Sequence, residues 1–315
     1  MTSKSRNNFQ EIPLVVAFTP NYFIPASVCI FSILDHSEST DTFHIICLLS
    51  EDLSEITREK LIDLGDERAR FTFINLSGKL QDIYINEKYT VAASFRLLLP
   101  DLLPEYKQVM YIDCDVIVRN NLAKLYHNIH LGDYYLAAVF ESPLDFQQPH
   151  IKAIGCDPGY YINSGFLFMN LKQLREDNMV PKFLEASKTE DLEFPDQDVL
   201  NQLCKGRVLG LPPYYNSIRT FYLPQYKPQF LKRYTEGDWQ AVQEHGTIHY
   251  TGSKPWNSFT VQFEIWWQYY MRLPKDIRQM EKRNNMIYRL YIIYNSGIGK
   301  SIIKGLQLIY RKIKY

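Results

Sequence analysis

No stretch of about 18 consecutive apolar residues occurs in this sequence of 315 residues, so no helix in it is expected to cross a membrane. The opening MTSKSRNNFQ is polar and has no apolar core, so no secretory signal is expected. Cysteine is scarce and scattered: Cys29, Cys47, Cys114, Cys156 and Cys204 are odd in number, and no two form a CxxC pair. This argues against a disulfide framework or a cysteine-held zinc and fits a reducing cytosol. Net charge is also absent, with 35 Lys plus Arg against 35 Asp plus Glu. The balance is not local. From Lys275 to Tyr315 ten Lys or Arg face two acids, Asp276 and Glu281, a net of +8 that leaves −8 on the rest. An acidic body with one short basic stretch argues against a nucleic-acid binder, and the basic end calls for an anionic partner.

What is present is enough apolar residue, 46% with many Tyr and Phe, to build a sizeable core. Ile12 to Phe18, Phe43 to Leu49 and Phe71 to Leu76 read as buried strands. Tyr22 to Leu34 reads as a helix between the first two, and Ser50 as the cap of a second helix that starts with Glu51, Asp52 and Glu55. Strands alternating with helices predict a parallel, right-handed α/β sheet. Val91 to Leu103 reads as a helix carrying Arg96, and Asn121 to His127 starts another. Tyr135 to Phe140 and Tyr160 to Leu171 are further strand-like runs; Ser142 to Tyr161 has no clear period and is the candidate acceptor-side loop.

The chemistry centres on Val109 to Asn120, VMYIDCDVIVRN. Asp113 and Asp115 interrupt two apolar runs, and burying ionised carboxylates is costly unless they are paired or hold a metal. On one strand, residues i and i+2 point to the same side, so the two acids converge at its end. The competing reading is a strand that stops at Ile112 followed by two solvated turn acids. Three weaker signals lie downstream. Asn163, Ser164 and Gly165 head a buried run, either as ligand-binding groups or as a turn. Pro195-Asp196-Gln197-Asp198 opens an amphipathic helix, where acids alone signify a cap. His249 and the turn Gly252-Ser253-Lys254 follow, a structural histidine and an ordinary loop being the alternatives; the full P-loop spacing is missing. Together, two strand-end acids and a distant histidine suit Mn²⁺ or Mg²⁺, whose open positions can take diphosphate oxygens, and the lysine adds charge toward the same phosphates.

In that order and spacing, the segment Ala17 to Tyr22, Arg96 in SFRLLLP, YIDCDVIV, YYINSGFLFMNL, PDQDVLN and HYTGSKPW resemble glycosyltransferase family 8. These retaining enzymes include bacterial lipopolysaccharide galactosyl- and glucosyltransferases and glycogenin, and the resemblance runs from about Ile12 to Trp256. It implies a GT-A fold: an α/β, Rossmann-like nucleotide-binding mixed sheet with flanking helices. It also implies transfer of galactose or glucose from a UDP-sugar to a glycan or lipid-linked acceptor, with Mn²⁺ (or Mg²⁺) held by Asp113, Asp115 and His249. By the same resemblance Lys254 touches the donor diphosphate and Gly252 allows close backbone approach. Ala17, Asn21 and Tyr22 match the uridine segment, with Cys114 lying between the two acids in the donor site. Arg96, Asn163, Asp196 and Gln197 match residues around the donor sugar, and Asp198 a carboxylate near the anomeric carbon. Gln197, Asp198 and Asp196 are thus the candidate catalytic residues. Thr19-Pro20 departs from the one or two acids family members often carry there. Glu141 stands where related galactosyltransferases tend to have Asp, which leaves the donor sugar open.

The expected organisation is a disordered stretch over residues 1–10, a catalytic domain over 11–270 and a basic amphipathic helical tail over 271–315. Ile298, Ile302, Leu306, Ile309 and Ile313 fall on one helix face, with Lys300, Lys304 and Arg311 on another, as suits an anionic membrane surface. Packing on the protein's own core or on a dimer partner is the alternative, so oligomerisation stays open. The expected location is cytoplasmic, on the inner face of the plasma membrane. Two rival functions remain: a catalytically silent module that holds a nucleotide-sugar or glycan, and a phosphohydrolase of the haloacid-dehalogenase kind, whose Asp-x-Asp normally ends the first strand.

Overall fold

The computed structural model describes residues 11–85, 89–190, 192–302 and 305. Among these residues ten strands form two sheets: β1 (Ile12–Phe18), β2 (Phe43–Leu49), β3 (Ala69–Asn75), β4 (Val109–Asp113), β5 (Val116–Ile117), β6 (Leu136–Phe140), β7 (Ile162–Met169), β8 (Val208–Gly210), β9 (Ser217–Ile218) and β10 (Ile248–His249). The large sheet has the order β3-β2-β1-β4-β7-β6-β8, and the small one β5-β10-β9. The expected parallel pairing holds for β3, β2, β1 and β4. Beyond them the sheet is mixed, because β7 runs antiparallel to both β4 and β6. This corrects the all-parallel expectation and agrees with the mixed sheet that the family resemblance implied.

Alternation along the central strands builds a core on each face. Leu14 and Val16 join Met110 and Ile112 on one side, under the helices Phe23–Asp35 and Phe263–Arg272. Val15, Val109 and Tyr111 face the other, with Val199 and Leu200 of the helix Pro195–Leu203. All five cysteines are free and buried. No helix among the described residues is long and apolar enough to cross a membrane.

Several sequence expectations shift. The second helix is Glu55–Gly65, capped by Ser54, which accepts the Thr57 N–H at 3.2 Å, and Ser50 plays no part in it. The stretch from Val91 to Leu102 is two short α-helices around a 3-10 turn (Phe95–Leu98), with Pro100 in the second. The loop after Ser142 contains a short helix, Gln148–Ala153. The helix expected from Asn121 is Leu122–Asn128, with Asn121 as its cap. The boundary expected between 270 and 271 falls inside the helix Phe263–Arg272. Leu273, Ile277, Ile287, Tyr291 and Tyr294 all join the core, so the basic stretch is anchored to the body as far as Asn295. The expected disorder of residues 1–10 and most of the expected tail helix lie outside the described residues.

Candidate functional site

The site grows from the place where the large sheet changes direction. β1 is followed in sequence by β2 on one side, while its other neighbour is β4, and the carboxyl ends of β1 and β4 lie together, Ala17 beside Asp113. In open α/β sheets such a switch point leaves a crevice for ligands. Here a cavity of about 600 Å³ opens at that edge.

Asp113 and Asp115 do not share a strand, which corrects the expectation that strand alternation brings them together. Asp113 ends β4, Cys114 and Asp115 form a turn, and β5 leaves the large sheet for the small one. The apolar run resuming at Val116 is therefore a second strand in a second sheet. The small sheet pairs His249 of β10 with Val116 of β5, which brings the histidine beside the turn. His249 Nε2 lies 3.4 Å from Asp115 Oδ1 and 3.8 Å from Asp113 Oδ2. One ligand atom from each of the three residues fits within 4.8 Å of the others. Two carboxylates and an imidazole form a donor set suited to Mn²⁺ or a similar divalent ion. Gly165 supports this fit. A Cβ there would strike the His249 ring and come within 2.8 Å of Asp113 Oδ2, so glycine keeps the space between the ligands clear.

The histidine's tautomer is set from a distance. The Ser164 backbone N–H donates to Gln197 Oε1 at 3.1 Å, which fixes the orientation of that amide. Asn163 Nδ2 then donates to the same oxygen at 3.1 Å, and Asn163 Oδ1 accepts from the Gly165 N–H at 3.1 Å. Asn216 Nδ2 donates to Asn163 Oδ1 at 2.9 Å, so Asn216 Oδ1 is left to accept from His249 Nδ1 at 3.0 Å. Nε2 is thereby left as the ligating nitrogen that faces the acids. Asn216 is fully buried. Sequence reading missed it because a lone Asn in PYYNSIR carries no signal.

Two cations, Lys254 and Arg96, offset part of the carboxylate charge in the site. Burial raises the Asp115 carboxyl, but Lys254 and His249 outweigh it and hold it below the usual carboxylate range. Lys254 donates to Asp115 Oδ2 and, at 2.9 Å, to the Tyr250 carbonyl. Burial lowers the lysine and the Asp115 charge more than restores it. Arg96, 1% exposed, donates to Asp113 Oδ1 at 2.7 Å, sits 3.2 Å from Asp196 Oδ2 and stacks 4.2 Å over the Tyr111 ring. Burial raises the Asp196 carboxyl and Arg96 partly offsets it. Burial also raises Glu141, whose carboxylate accepts from Asn163 at 3.1 Å and Gln197 at 3.4 Å.

Of the other expected residues, Ala17, Tyr22, Cys114, Asn163, Asp196, Gln197 and Gly252 line the cavity, Gly252 in the left-handed region at φ +79°. Asn21 does not; it is exposed and accepts from the Thr19 hydroxyl. Asp198 lies behind the lining and is fully buried. Its oxygens are taken by the Tyr161 hydroxyl, by His150 Nε2 at 2.9 Å and by the Phe194 N–H at 3.1 Å.

A family model described as glycosyl transferase family 8 matches residues 13–260. The chain is 31% identical over 252 residues to a lipopolysaccharide 1,2-glucosyltransferase of Escherichia coli K12, covering 76% of this chain and 71% of that one. It is 31% identical over 182 residues to general stress protein A of Bacillus subtilis, covering 54% of this chain and 61% of that one. Among solved structures, the galactosyltransferase LgtC in complex with donor and acceptor sugar analogues matches with a TM-score of 0.69 at 25% identity, over 85% of this chain and 99% of that one. The bifunctional glycosyltransferase WbbM reaches 0.72 at 22% identity, over 86% of this chain and 52% of that one, a likeness of fold alone.

Proposed function

The chain belongs to glycosyltransferase family 8, and on that premise we propose that it moves a hexose, galactose or glucose, from a UDP-sugar to a glycan acceptor with retention of configuration. The observation that carries this reading is the donor set Asp113, Asp115 and His249 with Lys254 beside it in one cavity. The acceptor belongs to cell-surface glycan synthesis, a reading supported by the lipopolysaccharide glucosyltransferase relative.

Asp113, Asp115 and His249 would hold Mn²⁺ or Mg²⁺, which supplies positive charge to the diphosphate as the sugar bond breaks. Lys254 leaves Asp115 for the diphosphate and stabilises the charge of the leaving group. Ala17 in β1 and Tyr22 in the 3-10 turn that follows it border the nucleoside. Arg96, Asn163 and Asp196 surround the sugar. Gln197 presents an amide at the face where a nucleophile would stand. Asp198 is enclosed with both oxygens occupied. Attack therefore comes from the front face, with the leaving phosphate accepting the acceptor's proton.

Incubation with Mn²⁺ and UDP-galactose, UDP-glucose or UDP-N-acetylglucosamine is expected to release UDP slowly from one donor, and EDTA to stop it. Failure to bind UDP in calorimetry would overturn the reading. UDP binding with no turnover on any donor or acceptor would favour the silent binding module.

We place the chain on an anionic membrane surface through its basic end. The helix Asn285–Asn295 buries Ile287, Tyr291 and Tyr294 against the body, while Met286, Ile292, Ile293, Ile298 and Ile302 are exposed. An exposed apolar row flanked by Lys and Arg suits an interfacial position. Removal of residues 298–315 should release the protein from vesicles containing anionic lipid yet leave UDP release intact; undiminished vesicle binding would refute it.

A further inference from the structure

A second cavity of about 710 Å³ adjoins the first. Glu141 and Ser142, which follow β6, line both. Glu141 bonds to Gln197, so it stands between that amide and the second cavity. The Ser142 hydroxyl is buried and has no hydrogen-bond partner among the described residues. Buried hydroxyls are normally satisfied, and an unpaired one beside a cavity marks a place for a ligand atom.

The charge of the second cavity is distinctive. Its wall includes Lys232 and Arg233. The Arg233 guanidinium lies 4.1 Å from the Phe140 ring centroid and 5.6 Å from that of Tyr160, and donates to the Gly159 carbonyl. These contacts hold the group in place and leave N–H donors over. Nearby Lys227 pairs with Glu236 at 2.6 Å, whereas neither Lys232 nor Arg233 has an ion-pair partner among the described residues. The one other acid in the wall, Asp238, is turned back on Thr235 as a helix cap, at 2.9 Å from its N–H and 2.7 Å from its hydroxyl. A preset guanidinium, an unpaired lysine and two carboxylates engaged elsewhere, Glu141 with Asn163 and Gln197 and Asp238 with Thr235, make a receptor for an anion.

Resting on the transferase reading, we propose that this second cavity receives the part of the acceptor beyond the reacting sugar, and that this part carries a phosphate or carboxylate held by Arg233 and Lys232. Ser142, turned about its Cα–Cβ bond, meets an acceptor hydroxyl at the junction. The proposal places charge recognition of the acceptor outside the donor site, on a segment between β9 and β10.

The test is calorimetric binding to the full chain saturated with Mn²⁺ and UDP, so that the diphosphate position is already filled. The probes are two pairs, galactose with galactose 6-phosphate and glucose with glucuronate; comparing the pairs separates phosphate from carboxylate as the preferred anion. The charged member of at least one pair is expected to bind about tenfold tighter, the scale of one charge-assisted hydrogen bond. Combined Lys232→Gln and Arg233→Gln should erase that gap and leave the neutral sugar unchanged. Ser142→Ala should weaken both members by a similar factor. Equal affinities within both pairs, or a gap that survives the double substitution, would overturn the inference. UDP binding is measured first on each protein. Its absence in the wild type would sink the transferase reading together with this proposal. UDP binding without charge preference counts against this proposal alone.

Discussion

Asp115→Asn is expected to lower metal-dependent transfer by about three orders of magnitude or more, the scale of losing an electrostatic stabiliser and a cation site together. The substitution keeps the shape of the side chain and removes its charge. In the native protein that charge is compensated by the Lys254 ammonium. The asparagine leaves Lys254 and His249 in place but offers the cation a neutral ligand. Mn²⁺ titration followed by electron paramagnetic resonance, beside UDP release, reads both consequences. A bound ion stabilises the fold by an amount that grows with concentration over Kd, about 2.7 kcal/mol at a hundredfold excess. Manganese should therefore raise the melting temperature of the wild type and not of the variant. Asn216→Ala serves as a companion: it removes the acceptor that orients the imidazole and should weaken Mn²⁺ binding by about 10–100-fold while leaving all three ligands present. Wild-type Mn²⁺ affinity in Asp115→Asn would remove that residue from the ligand set.

Arg96→Met is expected to cost about 3–5 kcal/mol of stability, the range for removing one partner of a buried charge pair. Methionine fills a similar volume, so the loss is electrostatic. It leaves the carboxylates of Asp113 and Asp196 without their shared cation, and the carbonyls of Ala93 and Ser164 without a donor. The melting temperature should fall by about 10 °C, at roughly 2–4 °C per kcal/mol for a domain of this class. The sign of the pH effect follows from Asp196. Burial already raises its carboxyl in the folded state, and loss of Arg96 raises it further. The folded variant then binds more protons than the unfolded chain between the unfolded carboxylate value and the raised one. Across that window its stability falls as pH rises. The deficit relative to wild type should be smaller at pH 5 than at pH 7 in paired thermal melts. Arg96→Lys should recover only part of the loss, because one ammonium cannot reach every acceptor of the guanidinium fork. A deficit below about 1 kcal/mol, or one that widens on acidification, would contradict this account.

Local pattern carried much of the architecture. The limits of β1 and β2 coincide with the apolar runs Ile12 to Phe18 and Phe43 to Leu49, because strands buried on both faces are continuous in apolar residues. The helix beginning at Pro195 was visible from its proline, its acids and its spacing. The misplaced start of the second helix had a local cause: Ser50 and Ser54 are both competent caps, and only Ser54 meets an N–H in the first turn. Antiparallel β7 could not be read in the same way, since direction depends on which edge of the sheet a strand joins.

By itself the sequence determined the inventory of the site: two acids between apolar runs, a histidine followed by a lysine, an arginine in a helical segment, and small polar residues heading a strand. It also determined that these apolar runs are buried, since hydrophobic burial depends on residue type and spacing. Tertiary structure alone decided that the acids converge through a turn between two sheets, that Asn216 sets the tautomer of His249, that Asp198 lies behind the cavity wall, and that Lys232 and Arg233 border a second cavity. The reason is one of range. Periodicity and capping act over a few residues, whereas hydrogen bonds such as Asn216 to Asn163 join positions 53 apart in sequence, which only packing brings within reach.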